Sequence, residues 1–242
     1  MIHITRVISK GNNSKIWKYI RSKNNYNSSE IYRYIGERHS GARYRRDSYT
    51  YRLRSGLKLE NHPTSTLQDM FEYGIYGESV IKECGFDKNN DYFICRRDGI
   101  RYGVTTDITV DKDGVEYPIE IKTKYPYLGP HDWFEFNEVP TRYIHQIAMQ
   151  SIVLQCRLVY LCRIHEISDD EITITMFGYD VNYNDYFDHI HKYLSETRRD
   201  PGIITDVEIS DPHHYVTPIK NEFKCLTRDN IKEYILNFIG HY

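Results

Sequence analysis

Asp107, Glu120 and Lys122 have the types and spacing to hold a divalent cation beside a phosphate. They flank Asp113-Gly114, a dipeptide that favours a two-residue type I′ hairpin turn because both positions tolerate positive φ. With those residues as the loop, Lys112 faces Val115, Val110 faces Tyr117, Ile108 faces Ile119 and Asp107 faces Glu120. Side chains alternate between the faces of a strand. Ile108, Val110, Ile119 and Ile121 therefore share an apolar face, and Asp107, Glu120 and Lys122 share the other. Opposed carboxylates with β-carbons roughly 5 Å apart repel unless something positive lies between them. Oxygen ligands on a half-open site suit Mg²⁺ or Mn²⁺, as one or two ions, which keep waters and share coordination with phosphate. The carbonyl of Ile121 falls at the same place as a further ligand. The Lys122 ammonium would position or help deprotonate an attacking water and balance charge on the phosphate. The chemistry expected is metal-assisted phosphodiester hydrolysis. A surface hairpin with charges on its wet face would carry the same residues, so the neighbouring elements must decide.

Those elements can be read from periodicity and punctuation. Residues 14–22 and 28–36 read as short helices, the second capped by serines and stopped by Gly36. Residues 37–60 read as an Arg-rich loop. His62 to Thr66 looks like a helix start, and apolar spacing carries that helix from Leu67 to about Cys84, with Gly85 as its stop. Strands are expected over 91–97, 102–110, 115–124, 157–165 and 171–179. Further helices are expected over 138–156, 182–196 and 228–238. The fold class predicted is mixed α/β (α+β): one central mixed β-sheet flanked by helices. Residues 1–60 form a basic helical segment of that same domain, 61–180 its core, and 181–242 a helical and β extension.

Composition sets the outer bounds. Residues 1–58 hold 14 Lys and Arg against three acids, a net of +11; the other 18 cations and 31 acids give −13. A basic quarter on an acidic body points to a polyanion partner or to a solvated basic face. No apolar run nears the ~20 residues of a membrane span, so no membrane partner is expected. The N-terminus lacks the layout of a signal peptide, so the protein is expected to stay in the compartment where it is made, cytoplasmic or nuclear. The five cysteines are odd in number and show no C-x-x-C spacing, which argues against a disulfide framework or a cysteine zinc site. The 23 tyrosines, with abundant Asn, Ile and Lys, fit an AT-rich source, a virus or a microbe.

Four short motifs occur in order: Gly74-Ile75-Tyr76-Gly77-Glu78, Gly103-Val104-Thr105-Thr106-Asp107, Glu120-Ile121-Lys122 and Arg142-Tyr143-Ile144-His145-Gln146. Together they resemble the lambda-exonuclease/YqaJ branch of the PD-(D/E)XK nucleases over roughly residues 15–165. The resemblance implies a restriction-endonuclease-like core. It implies Asp107 and Glu120 as metal ligands, with Ile121, and Lys122 as the catalytic lysine. Glu78 would complete the site from a helix, and Gln146 would support the lysine or the nucleophilic water. Asp98 falls near a further acid of the family. Trp17-x-x-x-Arg21 followed by Ser28 and Ser29 is similar to the family's element for the terminal 5′-phosphate of DNA. Arg43, Arg45 and Arg46, in a loop without a family counterpart, would follow the nucleic-acid backbone. This chain departs from the family at Thr106, where proline is frequent, and at Thr123-Lys124, where Cys-Pro is frequent.

The function implied is a 5′→3′ exonuclease acting on duplex DNA ends and leaving a single-strand product. It would serve recombination, replication or repair, with a recombinase or annealing protein, or a second copy of itself, as partner. A viral replication compartment is then a candidate location. Two other readings stay open: an endonuclease of the same superfamily acting on structured DNA or on RNA, and a binding module without catalysis.

Other constellations carry less. His189 with His191, and His213 with His214, lack the helical spacing of a zinc site. His145 reads as a surface or packing residue. Tyr125, Tyr127, Trp133 and Phe134 are placed either to stack on a base or to fill the core. No glycine-rich Walker loop is present.

Overall fold

The computed structural model describes residues 2–8, 15–35, 65–86, 91–125, 139–200 and 211–240. In chain order the elements are β1 His3–Ile8, α1 Lys15–Ser22, β2 Tyr26–Asn27, α2 Ile31–Ile35, α3 Ser65–Glu83, β3 Asp91–Arg97, β4 Ile100–Thr106, β5 Ile108–Lys112 and β6 Val115–Thr123. They continue with α4 Thr141–Leu154, β7 Leu158–Ile167, β8 Glu171–Val181, α5 Tyr183–Arg199, β9 Val216–Thr227 and α6 Arg228–Gly240. Short 3₁₀ turns at Ser28–Glu30 and Pro212–His214 lead into α2 and β9.

Two Asp-Gly dipeptides punctuate the sheets. Asp98, Gly99, Asp113 and Gly114 have φ of 48°, 75°, 57° and 78°, the left-handed backbone that a type I′ turn needs and that Asp and Gly accept. The first turn joins β3 to β4, and the second joins β5 to β6. In the second hairpin Lys112 pairs with Val115, Val110 with Tyr117 and Ile108 with Ile119, the register that the turn residues dictate.

The architecture is mixed α/β, with two mixed sheets rather than the single sheet expected. One has the order β1-β3-β4-β2, the other β5-β6-β7-β8-β9. In the first, β2 runs parallel to β4 and the other pairs are antiparallel; in the second, β6 and β7 are parallel. The run expected as one strand over 102–110 is divided at Asp107, where the chain leaves the first sheet and enters the second. The N-terminal segment, expected as two short helices and a basic loop, also contributes β1 and β2 to the first sheet. Arg6 of β1 bonds Glu116 and Asp91, tying that edge down.

Burial follows the strand period. On β7, Val159 and Leu161 enter one core cluster while Tyr160, Cys162 and Ile164 enter another. Strand β7 is therefore apolar on both faces, as expected for a strand flanked by helices on each side. Helix α4 lies in the first cluster among residues of β3, β4, β7 and β8, and every residue from Ile144 to Val153 is buried. Such a helix sits between layers rather than on a surface. Helices α3 and α6 cover the opposite face through Val80, Ile81, Ile231, Ile235 and Phe238. Among the described residues no helix is long and apolar enough to cross a membrane.

Candidate active site

Asp107 occupies the single residue between β4 and β5. It is buried, and its Oδ2 accepts the backbone N–H of Ile121 at 2.8 Å. The β5–β6 ladder stops at Ile108 and Ile119, so Asp107 does not pair backbone to backbone with Glu120 as expected. Its carboxylate takes the next N–H of β6 instead, which aims it at that strand from the sheet junction.

Glu120 is 1 % exposed, on the inner strand β6 between β5 and β7. Period-two alternation sends Ile119 and Ile121 into the core under α3 and α6, and sends Glu120 to the face covered by α4. There Oε1 accepts Gln146 Nε2 at 2.6 Å and also the Lys122 ammonium, while Oε2 accepts Gln150 Nε2 at 2.5 Å. Lys122 Nζ lies 5.1 Å from the centre of the Tyr143 ring.

Burial, and then the neighbouring Asp107, push the Glu120 carboxyl up to about 8, against the pull of Lys122 and Gln150. Burial opposes charge on Lys122, but Glu120 and Asp107 outweigh it and raise its pKa. For Glu120 the upward direction holds, because burial and a second carboxylate act together there. Lys122 stays cationic between two acids.

This donor set fits a small hard cation. Two buried carboxylates converge on β6, and Gln150 Oε1 is buried without a hydrogen-bond partner. Those are oxygen ligands of the kind Mg²⁺ and Mn²⁺ take. Among the described residues no group of three His, Cys, Asp or Glu is arranged to hold a metal. Glu78 lies on α3, half-buried, with Oε2 3.5 Å from Lys82 Nζ. Helix α3 itself touches the end of β6, since a β-carbon built at Gly77 would stand 1.9 Å from Thr123 Oγ1.

Asp107, Glu120, Lys122, Gln146 and the backbone of Ile121 thus come together, with Glu78 on the adjoining helix. Gln150 joins them although the sequence reading did not name it. The available signal was a second glutamine one helical turn after Gln146 in an otherwise aliphatic stretch.

At the N-terminal cluster, Arg21 Nη2 donates to Ser29 Oγ at 2.9 Å and lies 3.4 Å from Glu30 Oε1. Asn27 Nδ2 holds the other Glu30 oxygen at 3.0 Å. Ser28 is buried, and the residue at the cap position is Asn27 rather than a serine. Arg43, Arg45 and Arg46 lie outside the described residues.

Asp98 is not part of the site. It is an exposed turn residue at the end of β4 opposite Asp107, and the 7 residues of that strand span roughly 23 Å. It serves as the left-handed turn position and bonds His191 Nε2 at 3.0 Å. His191 Nδ1 bonds Tyr102, His189 bonds Tyr215 and buried His145 bonds Tyr186 at 2.9 Å. These histidines are tied to tyrosines in the core. Tyr125 packs edge-on against Tyr73; Tyr127, Trp133 and Phe134 lie outside the described residues.

A scan against models of protein families matches none of them, and comparison with curated proteins finds no similar chain.

Proposed function

We propose that this chain is a metal-dependent deoxyribonuclease of PD-(D/E)XK type, built on a restriction-endonuclease-like core, that degrades duplex DNA 5′→3′ from its ends. The observation that carries the reading is the buried Glu120 carboxylate. It is held by Lys122, Gln146 and Gln150 beside a second buried acid, Asp107. An isolated pair of buried acids is costly, and a folded chain that keeps them together gains most when a cation joins them.

Asp107 and Glu120 would hold Mg²⁺ or Mn²⁺, with the Ile121 carbonyl as a further oxygen. The bound ion supplies a polarised phosphate and a water acidic enough to attack near neutral pH. Lys122 orients that water and offsets charge on the phosphate. Gln146 keeps the Glu120 carboxylate turned toward the site. Arg21 and Ser29, already in contact, receive the terminal 5′-phosphate, with Glu30 holding the guanidinium in place until the anion arrives. Arg43, Arg45 and Arg46 supply backbone attraction. A recombinase or annealing protein, or a second copy of the chain, is the partner this chemistry calls for.

A gel assay in Mg²⁺ or Mn²⁺ tests it. The substrates are linear 5′-phosphorylated duplex, covalently closed circular DNA and single-stranded RNA, with Glu120→Ala as control. Loss of the linear duplex alone, abolished in the mutant, is the expected result. Cleavage of circles or RNA would replace the exonuclease with an endonuclease. Salt-sensitive binding with no turnover in Mn²⁺ would mark a binding module.

A further inference from the structure

We infer that Gln150 is a positioning residue of this site: its side-chain amide ties the strand that delivers Asp107 to the carboxylate of Glu120, and so sets how the two acids stand to each other. The inference deepens the nuclease reading and rests on it. Asp107 follows β4, which belongs to the four-stranded sheet, whereas Glu120 lies on β6 of the five-stranded sheet. No strand pairing among the described residues joins those sheets. Gln150 bridges them with one amide group. Its Nε2 donates to the carbonyl oxygen of Thr105, two residues before Asp107, at 2.8 Å, and to Glu120 Oε2 at 2.5 Å.

The assignment of the amide is forced by its neighbours. Turning it over would set Oε1 against the Thr105 carbonyl, two acceptors with no proton between them. Both N–H groups are therefore spent on the two strands. The remaining oxygen is buried and, among the described residues, accepts no hydrogen bond, a costly condition unless a water or an ion meets it. Gln150 is 0 % exposed on a helix buried from Ile144 to Val153, so the amide cannot drift. Gln146 works differently. Among the described residues its side chain bonds Oε1 of Glu120, the oxygen shared with Lys122, and no residue of β4.

Gln150→Met keeps the length of the side chain and removes both donors. The experiment measures Mn²⁺ binding to the full chain without DNA, the melting temperature without metal, and kcat and KM on linear duplex, for wild type, Gln150→Met and Glu120→Ala. Outer partners of metal ligands typically contribute about 10–100-fold in affinity or activity. Gln150→Met is expected to bind Mn²⁺ weaker by about that factor and to lose kcat while KM for DNA and the melting temperature hold. Mn²⁺ affinity equal to wild type, when Glu120→Ala has lost it, overturns the inference and leaves the nuclease reading standing. Mn²⁺ binding that is absent in wild type, or unchanged in Glu120→Ala, overturns the reading of the site and the inference with it. Should Gln150→Met not fold, the wild-type side-chain amide decides by NMR. Amide protons protected from solvent exchange, one of which shifts in Glu120→Ala, support the bridge; a pair that exchanges as fast as a free glutamine amide and is unmoved in Glu120→Ala refutes it.

Discussion

At the scale of single residues, the charge balance around Glu120 assigns Lys122 its part. Two acids and one ammonium share a pocket from which water is largely excluded, and Lys122 is the one of the three with appreciable exposure, at 20 % of its side chain. A cation entering from that side would meet the two carboxylates and displace Lys122 from Glu120, leaving the ammonium free to face a water or a phosphate. The lysine is then needed for turnover rather than for holding the metal. Lys122→Met is expected to lower kcat by about 10²–10⁴, the range of a positioned acid–base group, while Mn²⁺ affinity by calorimetry stays within a few-fold of wild type. Loss of Mn²⁺ binding along with turnover would instead make Lys122 a structural counter-ion.

At the scale of elements, helix α3 packs closely against the end of β6, and Gly77 allows it. A glycine inside a helix costs about 1 kcal/mol relative to alanine, yet here an added methyl would run into Oγ1, Cβ and Cγ2 of Thr123 at 1.9, 2.8 and 2.8 Å. Gly77→Ala is expected to destabilise the fold by about 1–3 kcal/mol, as overpacking does, and to reduce cleavage as α3 backs away. In a Thr123→Ala background the same change should cost less by about 1 kcal/mol, a coupling within the range for contacting pairs. Urea unfolding of the four proteins measures it, and simple additivity would remove the close-packing argument. The elements also separate what a reader of the sequence can see from what stays hidden. The β5–β6 hairpin is legible because Asp113-Gly114 and the alternating isoleucines carry short-range signals. Asp98-Gly99 carries the same turn signal, and weighing it as a turn would have kept Asp98 out of the site. The break at Asp107 is hidden because neither glycine nor proline marks it and the β-branched residues run on through both strands. Strand β9 is hidden because its solvent-facing side chains and Pro218 blur the alternation, as an edge strand allows. Gln150 was concealed by a different ambiguity: a polar residue on a buried helix has no visible partner until Thr105 and Glu120 are brought across from two sheets.

At the scale of the whole molecule, α4 is the hub, since it carries both site glutamines and fills the space between the sheets. His145 sits on it beside Gln146, 1 % exposed, bonded through Nδ1 to Tyr186 of α5. Burial, with a smaller push from His213 and a weak counter-pull from Asp211, brings its pKa down to about 3. The folded state therefore holds the neutral ring, whereas the unfolded chain binds a proton near pH 6.5. The stability this contributes is present above pH 6.5 and is lost as pH falls toward 3. Half-buried His165, lowered to about 4 by burial, acts in the same direction. Between pH 7 and pH 4 the His145 share amounts to about 3 kcal/mol by proton linkage. His145→Asn places an amide where Nδ1 meets Tyr186 and cannot be protonated. It is expected to unfold more readily than wild type at pH 7, because it leaves a small cavity, but to lose about 3 kcal/mol less between pH 7 and pH 4. Urea unfolding of both proteins at the two pH values gives that difference. Parallel losses would mean that His145 takes up its proton in the folded state as easily as in the unfolded chain. The helix bearing Gln146 and Gln150 would then be open to water, and the dry, fixed setting that the candidate site requires would be lacking.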